Sequence, residues 1–236
     1  MEINFAKRSS HMEIMDNLDC KGEVVDQTLY ELDLINQFLR GNEITIKGID
    51  QLLKNTPSKT YSIIDLGCGS GKMLQLIETD AARKSRSVNL TGIDGNSNIV
   101  HYAREHSVSS AIDFKAIDIF SEEFQQLHAD VFVATLFLHH FDDEQLIQLF
   151  QQLKQQAKIG IVVNDLHRHP LAYYSFKLIS TLFSKSAMVK FDGPLSVLRA
   201  FKKEDLKAIL AKAGIENYSL AWKWAFRWQL IIKTSN

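Results

Sequence analysis

The sequence predicts an α/β fold: a mostly parallel sheet covered by helices on both faces, preceded by helices and closed by an antiparallel hairpin. Two observations lead there. Short apolar runs alternate with amphipathic stretches from residue 61 to 164, the order that builds a parallel sheet with helical crossovers. Between the first run and the first crossover helix stands Gly67-Cys-Gly-Ser-Gly71, a turn whose glycines let the backbone bend sharply. Element by element, Val25, Leu29, Leu32, Ile35 and Leu39 recur at helical spacing and predict a helix over 24–40 stopped by Gly41. A second helix is expected over 44–54, ending before Pro57, which with Ser58 marks a domain boundary between an N-terminal helical lid (1–57) and the core (58–236). The core then reads strand 61–66, helix 71–79, strand 88–93, helix 96–106, strand 112–117, helix 121–127, strand 130–136, helix 143–157 and strand 159–164. Helix 143–157 is the clearest, with Asp142 or Asp143 as N-cap and Leu146, Leu149, Phe150 and Leu153 along one stripe. Residues 171–183 predict a helix, 184–200 an irregular insertion around Asp192-Gly-Pro194, and 203–213 a helix closed by Gly214. Strands 216–222 and 226–233 are joined by a short turn and so pair antiparallel. Trp222, Trp224, Phe226 and Trp228, spaced by two, fit a hydrophobic sheet face or hairpin end better than an aromatic substrate box.

Composition narrows the function classes. The 236 residues suffice for a substantial core, and 45% hydrophobic with 23% charged residues is ordinary for a globular domain. A formal net charge of −1 gives no electrostatic case for binding nucleic acid. Cys20 and Cys68 make no disulfide framework, and Cys68 is expected as a small apolar filler in the glycine turn. No apolar signal segment follows Phe5-Ala-Lys-Arg, and the longest apolar stretch, 171–183, is interrupted by Lys177 and too short for a span. A cytoplasmic protein, monomer or homodimer, without stable membrane insertion, is the expectation.

The glycine spacing argues for a particular nucleotide. A dinucleotide fingerprint needs G-x-G-x-x-G, but Lys72 occupies the sixth position and the third glycine comes one residue early, which disfavours pyrophosphate and an NAD-dependent reductase. Asp65 before the glycines and Asp94 at the end of the next strand suit a ligand with an amino group and a ribose diol, as in S-adenosyl-L-methionine. Through Asp65-Leu-Gly-Cys-Gly-Ser-Gly71, Gly92-Ile-Asp94 and Ala116-Ile-Asp118 the chain resembles the class I S-adenosylmethionine-dependent methyltransferases over roughly 58–165. The resemblance implies a Rossmann-like, seven-stranded, mostly parallel sheet whose last strand is antiparallel. It also implies a cofactor site of Asp65, Gly67, Gly69, Gly71, Asp94, Gly95, Asn96, Asp118, Ile119 and Thr135. In that family the first segment lies beside the methionine moiety, the second acid takes the ribose hydroxyls, and the third takes the adenine amino group.

Ligands of open α/β sheets bind beyond the carboxyl ends of the strands. Leu138-His139-His140-Phe141 follows one strand and Asn164-Asp165-Leu-His167-Arg168-His169 the next, so histidines gather where an acceptor would meet the donor. A phenol with a pKa of about 10 gains from a base, and an imidazole of pKa about 6.5 supplies one. His139, His140 and His167 are the catalytic candidates, with Asp165 or Arg168 orienting the ring or the substrate. Asp165, His167, His169 and one of the paired histidines also offer a metal ligand set, ranked below acid–base work, and no metal is expected. Arg8-Ser-Ser-His-Met-Glu13-Ile-Met15-Asp16, the Asn164–Arg168 run and Asp192-Gly-Pro-Leu-Ser196-Val-Leu-Arg199 resemble a bacterial subgroup encoded beside type III polyketide synthases. That resemblance implies O-methylation of a small phenolic or polyketide-type acceptor, lid helices over the donor, an acceptor wall at 184–200, and Arg8, Met15, Asp165, Arg168 and Arg199 as acceptor contacts. Taken one at a time, Arg8, Glu13, Asp16 and Arg199 also fit solvated surface charges. C-methylation of a quinone precursor, whose enzymes share the Leu138–Phe141 segment, and a non-catalytic nucleotide-binding protein are the alternatives.

Overall fold

A computed structural model describes residues 3–54, 56 and 60–234. Seven strands, β1 (Tyr61–Leu66), β2 (Val88–Asp94), β3 (Ile112–Ala116), β4 (Ala129–Thr135), β5 (Ala157–Leu166), β6 (Tyr218–Lys223) and β7 (Arg227–Lys233), form one sheet in the order β3-β2-β1-β4-β5-β7-β6. All pairings among the first five are parallel, and β7 runs antiparallel to both β5 and β6. The chain moves outward from β1 to β3 and then returns to the other side for β4, so the crevice at the carboxyl ends of β1 and β4 is the topological switch point where ligands bind.

Nine helices accompany the sheet among the described residues: α1 (Glu23–Phe38), α2 (Asn42–Leu53), α3 (Lys72–Arg83), α4 (Ser97–His106), α5 (Glu122–Gln125), α6 (Asp143–Gln156), α7 (Pro170–Phe183), α8 (Ala187–Arg199) and α9 (Lys203–Lys212). Alternate strand residues feed two cores, as a period of two requires. Ile63, Val131, Val133 and Val162 face α2, α3 and α4 through Leu52, Leu74 and Val100. Ile64, Phe132, Ala134 and Ile161 face α6 and α9 through Leu146, Phe150 and Leu210. Asp142 caps α6 in a reciprocal capping box with Gln145. None of the helices is long and apolar enough to cross a membrane.

Three expectations are corrected. Residues 184–200 are mostly helix α8, with Gly193 and Pro194 inside it. Each turn signal there is consumed by tertiary contact. The Asp192 carboxylate accepts the N–H groups of Ile14 (2.8 Å) and Met15 (3.2 Å) instead of its own backbone, and a Cβ on Gly193 would lie 1.9 Å from the Phe176 ring. At the end of α1 the left-handed residue is Arg40 (φ 55°), not Gly41, which sits at φ −63° as N-cap of α2. Gly41 is small for another reason: a Cβ would stand 2.0 Å from Asn36 Oδ1 and 2.8 Å from Arg227 Cζ. Finally, α2 belongs with the core layer, since Ile49, Leu52 and Leu53 pack against β1, β4, β5 and β7 residues. The covering segment over the crevice is therefore the chain up to α1. The boundary expected at Pro57 and Ser58 lies outside the described residues.

Candidate active site

A cavity of about 1380 Å³ opens over the carboxyl ends of β1, β2, β4 and β5 and the start of β7. One drug-sized ligand takes a pocket of roughly 300–1,000 Å³, so this space has room for two molecules. At the β1 end the glycine turn runs through left-handed conformations at Gly67 (φ 62°), Gly69 (φ 52°) and Gly71 (φ 75°). Gly67 abuts the Phe137 ring and Gly71 abuts Phe114, whereas the nearest atom to a Cβ on Gly69 would be Leu29 Cδ2 at 3.7 Å, so that glycine opens the backbone to the cavity. Gly67 and Gly69 line the space, while Gly71 serves as N-cap of α3.

The acids behave differently from one another. Asp65 lines the cavity, is 2% exposed, and its Oδ1 has no hydrogen-bond partner. Burial, with the nearby Asp94 charge, pushes its carboxyl up to about 8. An ammonium arriving there satisfies the orphan oxygen and restores the charged form. Asp94 accepts the N–H groups of Gly69 (3.2 Å) and Asn96 (3.0 Å), and burial raises its pKa too. Both acids thus fit the amino-acid and ribose parts of S-adenosylmethionine. Asp118 accepts the Phe120 N–H at 2.9 Å and stays exposed at the rim beside buried Ile119. Gly95 and Thr135 line the cavity as well, and Thr135 bonds to Thr45 at 2.9 Å. Asn96 does not reach the space; it caps α4 and donates to the Cys20 carbonyl at 2.9 Å, tying the covering segment to the core.

Opposite the donor end, the covering segment builds a charged network on the strand ends. The His139 ring Nδ1 lies 2.7 Å from Asp165 Oδ1, and His140 Nδ1 lies 2.6 Å from Asp16 Oδ1. In each pair the carboxylate fixes the tautomer that carries its proton on Nδ1, leaving Nε2 as acceptor. Arg199 donates to Asp16 and to the carbonyls of His139 and His140, and Arg8 donates to the carbonyls of Arg199 (2.8 Å) and Phe141 (2.7 Å). Although burial pushes Asp16 up, hydrogen bonds from His140 and Arg199 bring it down to about 2. Glu13 meets the opposite fate: burial raises its carboxyl to about 7 despite His140, Ser196 and Arg199 nearby. Its Oε2 accepts from Ser196 at 2.7 Å, while Oε1 has no hydrogen bond and stands 3.8 Å from His139 Nε2 and 3.7 Å from Arg199 Nε. Glu13, His139 and His140 hold possible ligand atoms within 4.8 Å of one another, yet the guanidinium beside the same carboxylate oxygen opposes a second cation there.

Residues 63–160 match the family described as methyltransferase domain. The carboxy-S-adenosyl-L-methionine synthase of Wolinella succinogenes is 26% identical over 186 residues, covering 74% of this chain and 77% of that protein. Through residues 63–160 the chain carries a methyltransferase domain and is an S-adenosylmethionine-dependent methyltransferase, similar to those of class I. Its methyl donor is S-adenosylmethionine. Among solved structures, the plantazolicin methyltransferase BpumL in complex with SAH superposes with a TM-score of 0.65 at 17% identity, over 90% of this chain and 95% of that one. Human N-acetylserotonin methyltransferase in complex with SAM gives 0.62 at 18% identity, over 90% of this chain and 56% of that one. The CurJ carbon methyltransferase gives 0.60 at 14%, over 82% and 54%. At these identities the likeness is one of fold.

In this methyltransferase the expected acceptor residues divide. His139, His140, Arg8, Met15 and Arg199 line the cavity. Asp165 lies behind His139, holding both its ring and its backbone N–H (3.2 Å). His167 and Arg168 point elsewhere. The His167 Nδ1 accepts from Trp222 Nε1 at 3.2 Å, and burial with neighbouring His169 and Arg168 lowers its pKa. Arg168, buried, is spent on the carbonyls of Phe5, Ala6 and Ala200 and on Asp205 at 2.9 Å, anchoring the covering segment. Trp222, Trp224 and Phe226 line the cavity, whereas Trp228 packs in the core and donates to the Phe201 carbonyl. Sequence reasoning missed Glu13 and Asp16 as site groups, because acids in a polar N-terminal stretch look solvated; the cue was their spacing of three with Met15 between them. It also missed Arg227, which follows an aromatic on a strand and gives no signal of burial.

Proposed function

We propose that this methyltransferase O-methylates a small aromatic acceptor of phenolic or polyketide type, with His140 taking the hydroxyl proton. The observation behind this reading is the His140–Asp16 pair, whose Nε2 has no hydrogen bond among the described residues, on the wall of a cavity large enough for donor and acceptor together. Asp65, Gly67, Gly69, Asp94, Gly95, Asp118, Ile119 and Thr135 hold the donor. When bound, S-adenosylmethionine supplies a methyl group already activated by the sulfonium, so the protein contributes alignment and proton removal.

The acceptor lies against Met12, Met15, Phe176, Val197 and Phe226, an apolar wall suited to an aromatic ring. Its hydroxyl hydrogen passes to His140 Nε2, and the Asp16 carboxylate stabilises the resulting imidazolium through Nδ1–H. Arg199 keeps Asp16 in place by sharing it, and it also holds the carbonyls of both histidines. His139, braced by Asp165, places a second imidazole beside the first, with ring centroids 4.4 Å apart. The covering segment keeps water out.

Turnover with a deuterated methyl donor and a panel of phenols and resorcinols, followed by NMR of the product, tests the reading. A label on oxygen, together with a roughly 10²–10⁴-fold loss of turnover in His140→Ala at unchanged donor affinity, is expected. A label on ring carbon refutes it, as does near-normal turnover in both His140→Ala and His139→Ala.

A further inference from the structure

We propose that Arg227 forms a subsite for a carboxylate of the acceptor, so that the preferred acceptor is a hydroxylated aromatic acid. Arg227 opens β7 and lines the cavity where the corner between α1 and α2 meets the sheet. It is 2% exposed, and neither Nε nor Nη1 has a hydrogen-bond partner among the described residues. A guanidinium carries five donors in a rigid fork that matches a carboxylate bidentately, and burying it unpaired destabilises the fold. The neighbouring acid, Asp165, is taken by His139 and by the Leu166 N–H at 2.7 Å, and no ion pair to Arg227 forms among the described residues. A bond to the side-chain Oδ1 of nearby Asn36, which has no partner among the described residues, would satisfy one donor and leave the charge. Directly across the hairpin the partner in register is Lys223, which offers no opposite charge. Burial draws the Arg227 guanidinium down to about 10, against the pull of Asp165.

An anion resolves all of this, and its source is the acceptor. In the sheet order β1-β4-β5-β7, Asp65 and Arg227 stand three strand spacings apart, about 14 Å across the sheet at roughly 4.8 Å each, and Arg227 also lies further along the strands, in the row of Leu166, whereas Asp65 is in the row of Val162. The ammonium and carboxylate of an amino acid share one carbon, so the methionine end of a donor held at Asp65 does not also reach Arg227. Naming the anion as part of an acceptor hydroxyl's own molecule rests on the O-methylation reading; the binding test below needs no turnover and stands or falls separately.

The test is calorimetric titration of the protein saturated with S-adenosylhomocysteine, using 2-hydroxybenzoate and its neutral isostere 2-hydroxybenzamide as probes. Wild type is expected to bind the acid roughly 10–100-fold more tightly than the amide, as charged hydrogen bonds allow. Arg227→Gln should abolish that preference, leave S-adenosylhomocysteine affinity unchanged and raise Tm, because an unpaired buried charge is gone. Arg227→Lys, which keeps the charge but not the fork, should retain part of the preference. Equal binding of acid and amide, or no binding of the acid at millimolar concentration, overturns the proposal. So does a lower Tm in Arg227→Gln with the preference intact, which would make Arg227 a structural cation. Loss of affinity for S-adenosylhomocysteine but not for methylthioadenosine would assign the anion to the donor and overturn it as well.

Discussion

Replacing Glu13 by Gln should make the protein more stable at alkaline pH and flatten its pH dependence. Folding raises the Glu13 carboxyl from an ordinary 4.5 to about 7, chiefly by burial. Between those values the folded state holds a proton that the unfolded chain has released, so stability falls as pH rises through that window and levels off above it. At about 1.4 kcal/mol per pH unit the interval amounts to about 3 kcal/mol by pH 8. Gln preserves an acceptor for the Ser196 hydroxyl and carries no charge to desolvate. Asp65, raised to about 8, gives the wild-type protein a slope of the same sign, so the difference between variant and wild type isolates Glu13. Calorimetric unfolding at half-unit steps from pH 5 to pH 8.5 measures that difference. It should be smallest near pH 5 and grow towards about 3 kcal/mol in favour of the variant. A variant that tracks the wild-type slope, or is less stable at pH 8, refutes the assignment of a protonated, buried Glu13.

Asp94→Ala should weaken S-adenosylhomocysteine binding roughly 10–100-fold, the usual contribution of hydrogen bonds to a charged acceptor, as measured by calorimetry. Removing residues 1–22, which carry Glu13 and Asp16, should leave the sheet folded by circular dichroism and abolish turnover; an active truncated protein would show that the segment only covers the crevice. His167→Ala should keep near wild-type turnover, because that ring is bonded to Trp222 and packed on Trp228 and does not itself line the cavity, and a loss like that of His140→Ala would place it in the chemistry after all.

The central sheet was legible because its signals are local. A strand, a glycine turn and a helix in sequence report their own geometry, and Asp65 and Asp94 follow from their position at strand ends. What was hidden depends on contacts distant in sequence. Asp192-Gly-Pro194 reads as a turn until Ile14, Met15 and Phe176 occupy the groups that would make one. The run from Asp165 to His169 shows the same limit at closer range. The strand β5 ends at Leu166 and the chain then runs beside Phe201, so Asp165 braces His139 while His167 and Arg168 face away from the cavity. Glu13, Asp16 and Arg227 carry charges that any surface would accept, and only the packing of α1, α8 and the closing hairpin around them makes them site groups.

The contact between Asp16 and His140 joins two parts of the chain that need not stay together: one partner rides on the covering segment, the other on the end of β4. Lifting that segment would separate the imidazole from its carboxylate and uncover Arg199. On the O-methylation reading proposed above, a base assembled only with the segment in place would give the catalytic cycle a fixed order of events. Donor and acceptor would enter, the segment would settle and complete the base, the methyl group would move, and reopening would dismantle the base before the products diffuse away. The donor would then meet a working base only in the company of an enclosed acceptor.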